Sequence, residues 1–204
     1  MKRIYITAVP LPSNFILGPQ NVECVNIKLR TDNQLIFPIS RLIEATMQTG
    51  DEAEVITVRQ TNDSGDENLN RLKQDLTALH IDYQIKDITT PENQNKDAIL
   101  ELFKRLAQAI DPQCCVYADS TFGTKTYPIV LFAALNYAEK IKECELHCLL
   151  YQEQRRDMQT HKATGTYLYD ITSLFYLNSV VDALNQSEAS FEEKDALLGS
   201  LLNL

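Results

Sequence analysis

The chain has no tryptophan, three histidines and six glycines in 204 residues. His80, His147 and His161 are scattered, and none lies near a nucleophile elbow, so no Ser-His-Asp or Cys-His triad can be assembled. A dinucleotide fingerprint needs three glycines after a strand; the segment around Gly123 has one. The "GTKT" of that segment lacks the preceding glycine of a Walker loop. There is no run of 18 apolar residues, so no span of a membrane is expected. "MKRIYITAVP" has a short apolar part and no small-residue cleavage site; it is read as a first strand, and the protein as cytoplasmic. The five cysteines are odd in number, with Cys114 and Cys115 adjacent in an apolar stretch, which is no disulfide framework.

Positive charge is also in short supply. Twenty-eight acids stand against 19 bases, for a net charge of −9. A protein that grips long DNA or RNA by its backbone needs a positive face, so a long polyanion is not expected as partner. Residues 1–45 are an exception, with Lys2, Arg3, Lys28, Arg30 and Arg41 against Glu23, Asp32 and Glu44. A small anionic ligand in a local pocket therefore stays open.

Strand and helix patterns alternate along most of the chain. "RIYITAV" (3–9), "AEVITVRQ" (53–60), "IDYQIKDIT" (81–89), "QCCVYAD" (113–119) and "CELHCLLYQ" (144–152) read as strands. Residues 21–29, "NVECVNIKL", read either as a further strand or as part of a long excursion. "FPISRLIEATMQTG" reads as a helix with proline near its start and Gly50 as its stop. "TNDSGDEN" reads as a loop. Residues 67–79 form a helix with Leu69, Leu72, Leu76 and Leu79 on one face. A third helix follows Thr90, read as its cap, with Pro91 in its first position; a fourth covers about 125 to 141. "QRRDMQTHKATGTYLYD" is predicted to be a hairpin or twisted extension. Two helices close the chain, the second with Ser190 and Glu193 in a capping box. The expected fold class is α/β, a Rossmann-like, mostly parallel sheet with helices on both faces and a C-terminal helical appendage. Residues 1–170 form the Rossmann domain, and 171–204 the appended helices.

Ligands of such sheets bind outside the carboxyl ends of the strands. The loops expected there are Pro10–Gln20, Thr61–Gly65 and Asp119–Thr124. In the third, Ser120, Thr121 and Thr124 offer hydroxyls, Gly123 permits close backbone approach, and Lys125 adds a compact charge; together they suit phosphate or ribose. The same residues also suit a helix cap and turn with no further role. In the first loop, Ser13 and Asn14 can bond a ligand, and both are also ordinary turn residues. Arg156 and His161 match an Arg-x4-His ribonuclease pattern, but in a hairpin rather than on a helix; a solvated turn is the favoured reading. Cys144 and Cys148 share one strand face with His147 on the other, so they are read as structural, and neither metal nor cofactor is expected.

"VYADSTFGTKTYPIVLFAALNYAEK" resembles a motif of CARF domains, the CRISPR-associated Rossmann folds: a strand ending in Asp119, then Ser120, Thr121, Gly123, Lys125 and Pro128 before an apolar helix. "TYLYDITSLFYLNSVVDAL" is similar to the strand, Asp-Ile-Thr (Asp170, Ile171, Thr172) and interface helix of related effectors. The resemblance covers about residues 1–187. It implies a homodimer that binds a cyclic oligoadenylate across its two-fold axis, as a sensor in type III CRISPR antiviral signalling. By position it assigns Pro10, Leu11, Ser13, Asn14, Ser120, Thr121, Phe122, Gly123, Thr124 and Lys125 to the ligand. The alternative it implies is a metal-independent ring nuclease in the same pocket, with Ser13 or Thr121 orienting the attacking hydroxyl and Lys125 stabilising charge. About 17 residues follow the interface helix, where most relatives carry an effector domain.

Overall fold

A computed structural model describes residues 2–11, 22–31, 35–160 and 163–202. Ser13, Asn14 and His161 lie outside the described residues. Seven strands form one sheet in the order β2-β7-β6-β5-β1-β3-β4. Its parallel part comprises β1 (Lys2–Ala8), β3 (Glu52–Gln60), β4 (Tyr83–Thr90), β5 (Cys115–Asp119) and β6 (Glu145–Arg156). β7 (Ala163–Asp170) runs antiparallel to β6, and the short β2 (Val22–Cys24) pairs parallel with β7 at the edge. The expected α/β, Rossmann-like architecture is what the chain adopts. No helix among the described residues is long and apolar enough to cross a membrane.

Central strands β1 and β5 are buried on both faces, and their uninterrupted apolar runs follow from that. From β1 the chain moves outward through α1 (Pro38–Thr46), β3, α2 (Asp63–Ala78) and β4. It then returns through α3 (Lys96–Ala109) to β5 on the other side of β1, and through α4 (Tyr127–Lys142) to β6. Right-handed crossovers running in opposite directions put α1 and α2 on one face, and α3 and α4 on the other. α5 (Thr172–Gln186) follows β7, and α6 (Phe191–Leu202) packs on α5.

Local chemistry moved several expected boundaries. α2 begins at Asp63, inside the expected "TNDSGDEN" loop, because the Asn62 side chain accepts from the Gly65 amide at 2.9 Å. Asp63 and Asp66 then sit in the first turn, where negative charge is favoured. Thr90 is not a cap: β4 stays paired with β3 through Thr90, and Asn95 caps α3 by accepting from the Ala98 amide at 2.9 Å. α1 stops at Thr46, short of Gly50. Of the described residues 22–29, only Val22–Cys24 is strand. The capping box at the last helix is made, with Ser190 and Glu193 bonding each other's amides.

The entry to α1 is held by a buried carboxylate. Asp75 of α2 accepts from the amides of Ile36 and Phe37 at 2.8 and 2.9 Å. Arg41, also buried, donates to the Leu35 carbonyl at 2.8 Å. Two of the five thiols, Cys114 and Cys144, meet at 3.5 Å between sulfurs in the core; burial pushes Cys114 up to about 12. Burial also pushes Cys148 up to about 12. Cys144 and Cys148 are buried while His147 between them is exposed, as the alternation predicts.

Candidate functional site

The strand order reverses between β1 and β5, so the loops leaving these strands part toward opposite faces of the sheet. A crevice at such a point is where open α/β sheets receive ligands. A cleft of about 380 Å³ lies there. Pro10 and Leu11, just past β1, form one wall, and Thr121, Phe122 and Gly123 form the second. The third comes from β6, through Gln152, Gln154 and Arg156.

Each wall is fixed by identifiable bonds. The Pro10 carbonyl accepts from Asn68 Nδ2 at 2.9 Å, which ties the loop start to α2. At the end of β5, Asp119 lies opposite Thr7 in the ladder and is fully buried. One carboxylate oxygen accepts from the Thr7 hydroxyl at 3.0 Å, and the other from the Thr121 amide at 2.9 Å. This turn aims the chain across the mouth of the sheet. Burial pushes the Asp119 carboxyl up to about 6, against the opposing pull of those donors. Thr121 Oγ1 then accepts from the Gln152 amide at 2.8 Å, joining the second wall to the third.

Gly123 has φ +109, and a Cβ there would meet Ala8 Cβ and Tyr127 Cβ at 3.0 Å. The turn passes so close to β1 and α4 that only glycine fits without strain. Phe122 is largely buried and meets Phe37 edge-on with ring centroids 6.2 Å apart, so it anchors the turn in the core as well as lining the cleft.

The structure therefore divides the residues assigned by position. Pro10, Leu11, Thr121, Phe122 and Gly123 come together on the cleft. Ser120 is buried, and its hydroxyl donates to the Leu150 carbonyl at 3.2 Å. Thr124 is outside the cleft lining; its hydroxyl donates to Gln94 Oε1 at 3.1 Å and meets Thr126 at 3.0 Å. Lys125 is exposed and also outside the lining. Neither Ser120 nor Thr121 caps α4, whose cap position is Thr126 and whose second residue is Pro128.

The wall from β6 was not assigned from the sequence, where Arg156 stood only in the Arg-x4-His pattern. The available signal is polar alternation, Gln152, Gln154 and Arg156, in a strand that outruns its neighbour. β5 ends at Asp119 opposite Leu150, while β6 continues to Arg156. Three side chains spaced by two then share one face of the projecting ribbon.

Among the described residues no group of three or more His, Cys, Asp or Glu side chains is placed to hold a metal ion. The fold and the cleft define a Rossmann-like α/β protein with a polar-rimmed crevice at its switch point. Comparison with known proteins finds no matching family model and no matching curated sequence.

Proposed function

We propose that this protein is a homodimeric sensor of a cyclic oligoadenylate, with the ring seated over the cleft between β1 and β5. One observation carries the reading. The loop start after β1 and the turn after β5, the two segments that the CARF-like motifs assign to ligand, form adjoining walls of one cleft. A ring of nucleotides would present phosphates and base edges to backbone amides, the Thr121 hydroxyl and the polar side chains of β6. Dimerisation has support in the C-terminal helices: among the described residues α5 buries only Phe175, and α6 buries none. Leu174 and Val181, seven residues apart on α5, are about half exposed. A second copy covering that stripe would remove apolar surface from water.

The experiment is a thermal-denaturation series with cyclic tri-, tetra- and hexa-adenylate, followed by recovery of the ligand. A sensor gives a concentration-dependent rise in Tm with one ring size and returns the ring intact. Linear products would convert the reading to the ring nuclease of the same cleft. No shift with any ring removes both.

A further inference from the structure

We infer that Arg156, at the end of β6, is the cation that meets a phosphoryl group of the ligand in this cleft. The inference rests on the cleft between β1 and β5 being the ligand site, but not on the ligand being a ring. Of the described residues that line the cleft, Arg156 alone carries a charge. It stands on the same face of the ribbon as Gln152 and Gln154. Gln154 orients it: Oε1 accepts from the guanidinium Nε at 3.1 Å and from a terminal nitrogen at 2.8 Å. The Gln154 amide that steadies the guanidinium is itself neutral and brings no opposing charge. Its fork of donors matches the oxygens of a phosphate. Gln152 carries an amide that both donates and accepts, which suits the edge of a purine or pyrimidine base. The chemical class is therefore a nucleotide phosphate or phosphodiester.

The neighbouring Arg155 supplies an internal control. It points to the opposite face, where Glu153 accepts two bonds from it at 3.2 Å and the Tyr167 ring lies 4.2 Å from its guanidinium carbon. Arg155 and Arg156 thus carry the same charge at the same end of the molecule, and only one of them faces the cleft.

The test is calorimetric titration of the full chain with adenosine monophosphate and with the three cyclic rings, for wild type, Arg156→Ala, Arg156→Gln, Arg156→Lys and Arg155→Ala. Arg156→Ala and Arg156→Gln are expected to weaken binding about tenfold or more, Arg156→Lys less, and Arg155→Ala by under twofold. Melting temperatures close to wild type exclude a folding defect, and Arg156→Gln carries the test if the alanine variant is poorly folded. Wild-type affinity in the Arg156 variants overturns the inference. So does an equal loss in Arg155→Ala, which would mean a general attraction with no localised contact. Binding of the monophosphate but of no ring, with the loss confined to Arg156, supports the phosphate site and sinks the cyclic-oligoadenylate reading alone. If wild type binds none of the probes, both fail.

Discussion

At the amino ends of the sheet, Glu54 is buried but sits 3.0 Å from the Lys2 ammonium and 2.8 Å from that of Lys86. Both lysines also reach Asp111, and Arg3 meets Asp51 at 2.5 Å. At the carboxyl ends, Asp119 is buried more deeply, and the partners seen for it there are the uncharged donors of Thr7 and Thr121. Two buried carboxylates in one sheet thus have opposite company. The first is neutralised by cations and helps hold β1, β3 and β4 in register. The second is held by dipoles alone, and its ionised form is disfavoured beside the cleft. Titratable groups strained in this way gather at functional sites more often than at structural ones.

The contrast can be tested through pH. Asp119 has a folded value of about 6 against an ordinary 3.8. A raised carboxyl value means the stabilising contribution is complete below 3.8 and is lost as pH rises through 6. The loss is on the order of 3 kcal/mol. Asp119→Asn keeps one acceptor oxygen for the Thr121 amide, turns the other position into a donor that the Thr7 hydroxyl can accept from, and cannot ionise. Its stability relative to wild type is expected to climb by about that amount between pH 4 and pH 7, measured by urea denaturation at each pH. A flat difference would show that the carboxyl does not titrate in this window.

The next largest effect is expected at Gly123. Gly123→Ala places a Cβ at φ +109 against Ala8 and Tyr127. The strain and contact should cost about 2–3 kcal/mol. A cost below about 1 kcal/mol by the same denaturation would mean that the turn relaxes freely. At the amino end, Glu54→Gln leaves Lys2 and Lys86 short of one counter-charge. Both lysines are partly exposed and retain Asp111, so about 1–2 kcal/mol is expected. Ligand affinity should not change, and a calorimetric titration that shows it falling would erase the division between the two ends. The smallest effect is Thr121→Val, which removes the acceptor of the Gln152 amide and should cost about 1 kcal/mol in thermal melts. Amide exchange is expected to quicken at Gln152, and an unchanged rate would show that the bond does not hold the walls together.

Much of this organisation is legible in the residues. The apolar run of β5 announced burial on both faces, and the alternation of Cys144, His147 and Cys148 gave the correct sides. The Asp170-Ile171-Thr172 triplet forms the turn from β7 into α5, where Asp170 accepts from the Thr172 amide at 2.9 Å. Caps were harder to read. Thr90 and Asn95 are both good capping residues, and the choice fell to Asn95 because Thr90 is paired in a ladder with a distant strand. The three hydroxyls of the β5 loop looked equivalent. The fold sends one to a backbone carbonyl, one to the cleft wall and one to Gln94. The positive excess of residues 1–45 proved local in sequence only: Lys2 and Arg3 are paired at the far end of the sheet, and Arg41 is buried.

The α/β class follows from local patterns, since period-two and period-3.6 runs alternate along the chain. The sequence also marked out the strand-ending loops as candidates. That β1 and β5 are neighbours, that β6 projects beyond them, and that Arg156 therefore faces the same cleft as Thr121 emerges only when the chain has folded. Strand order and register arise from contacts between segments far apart in the chain, and no local pattern encodes them.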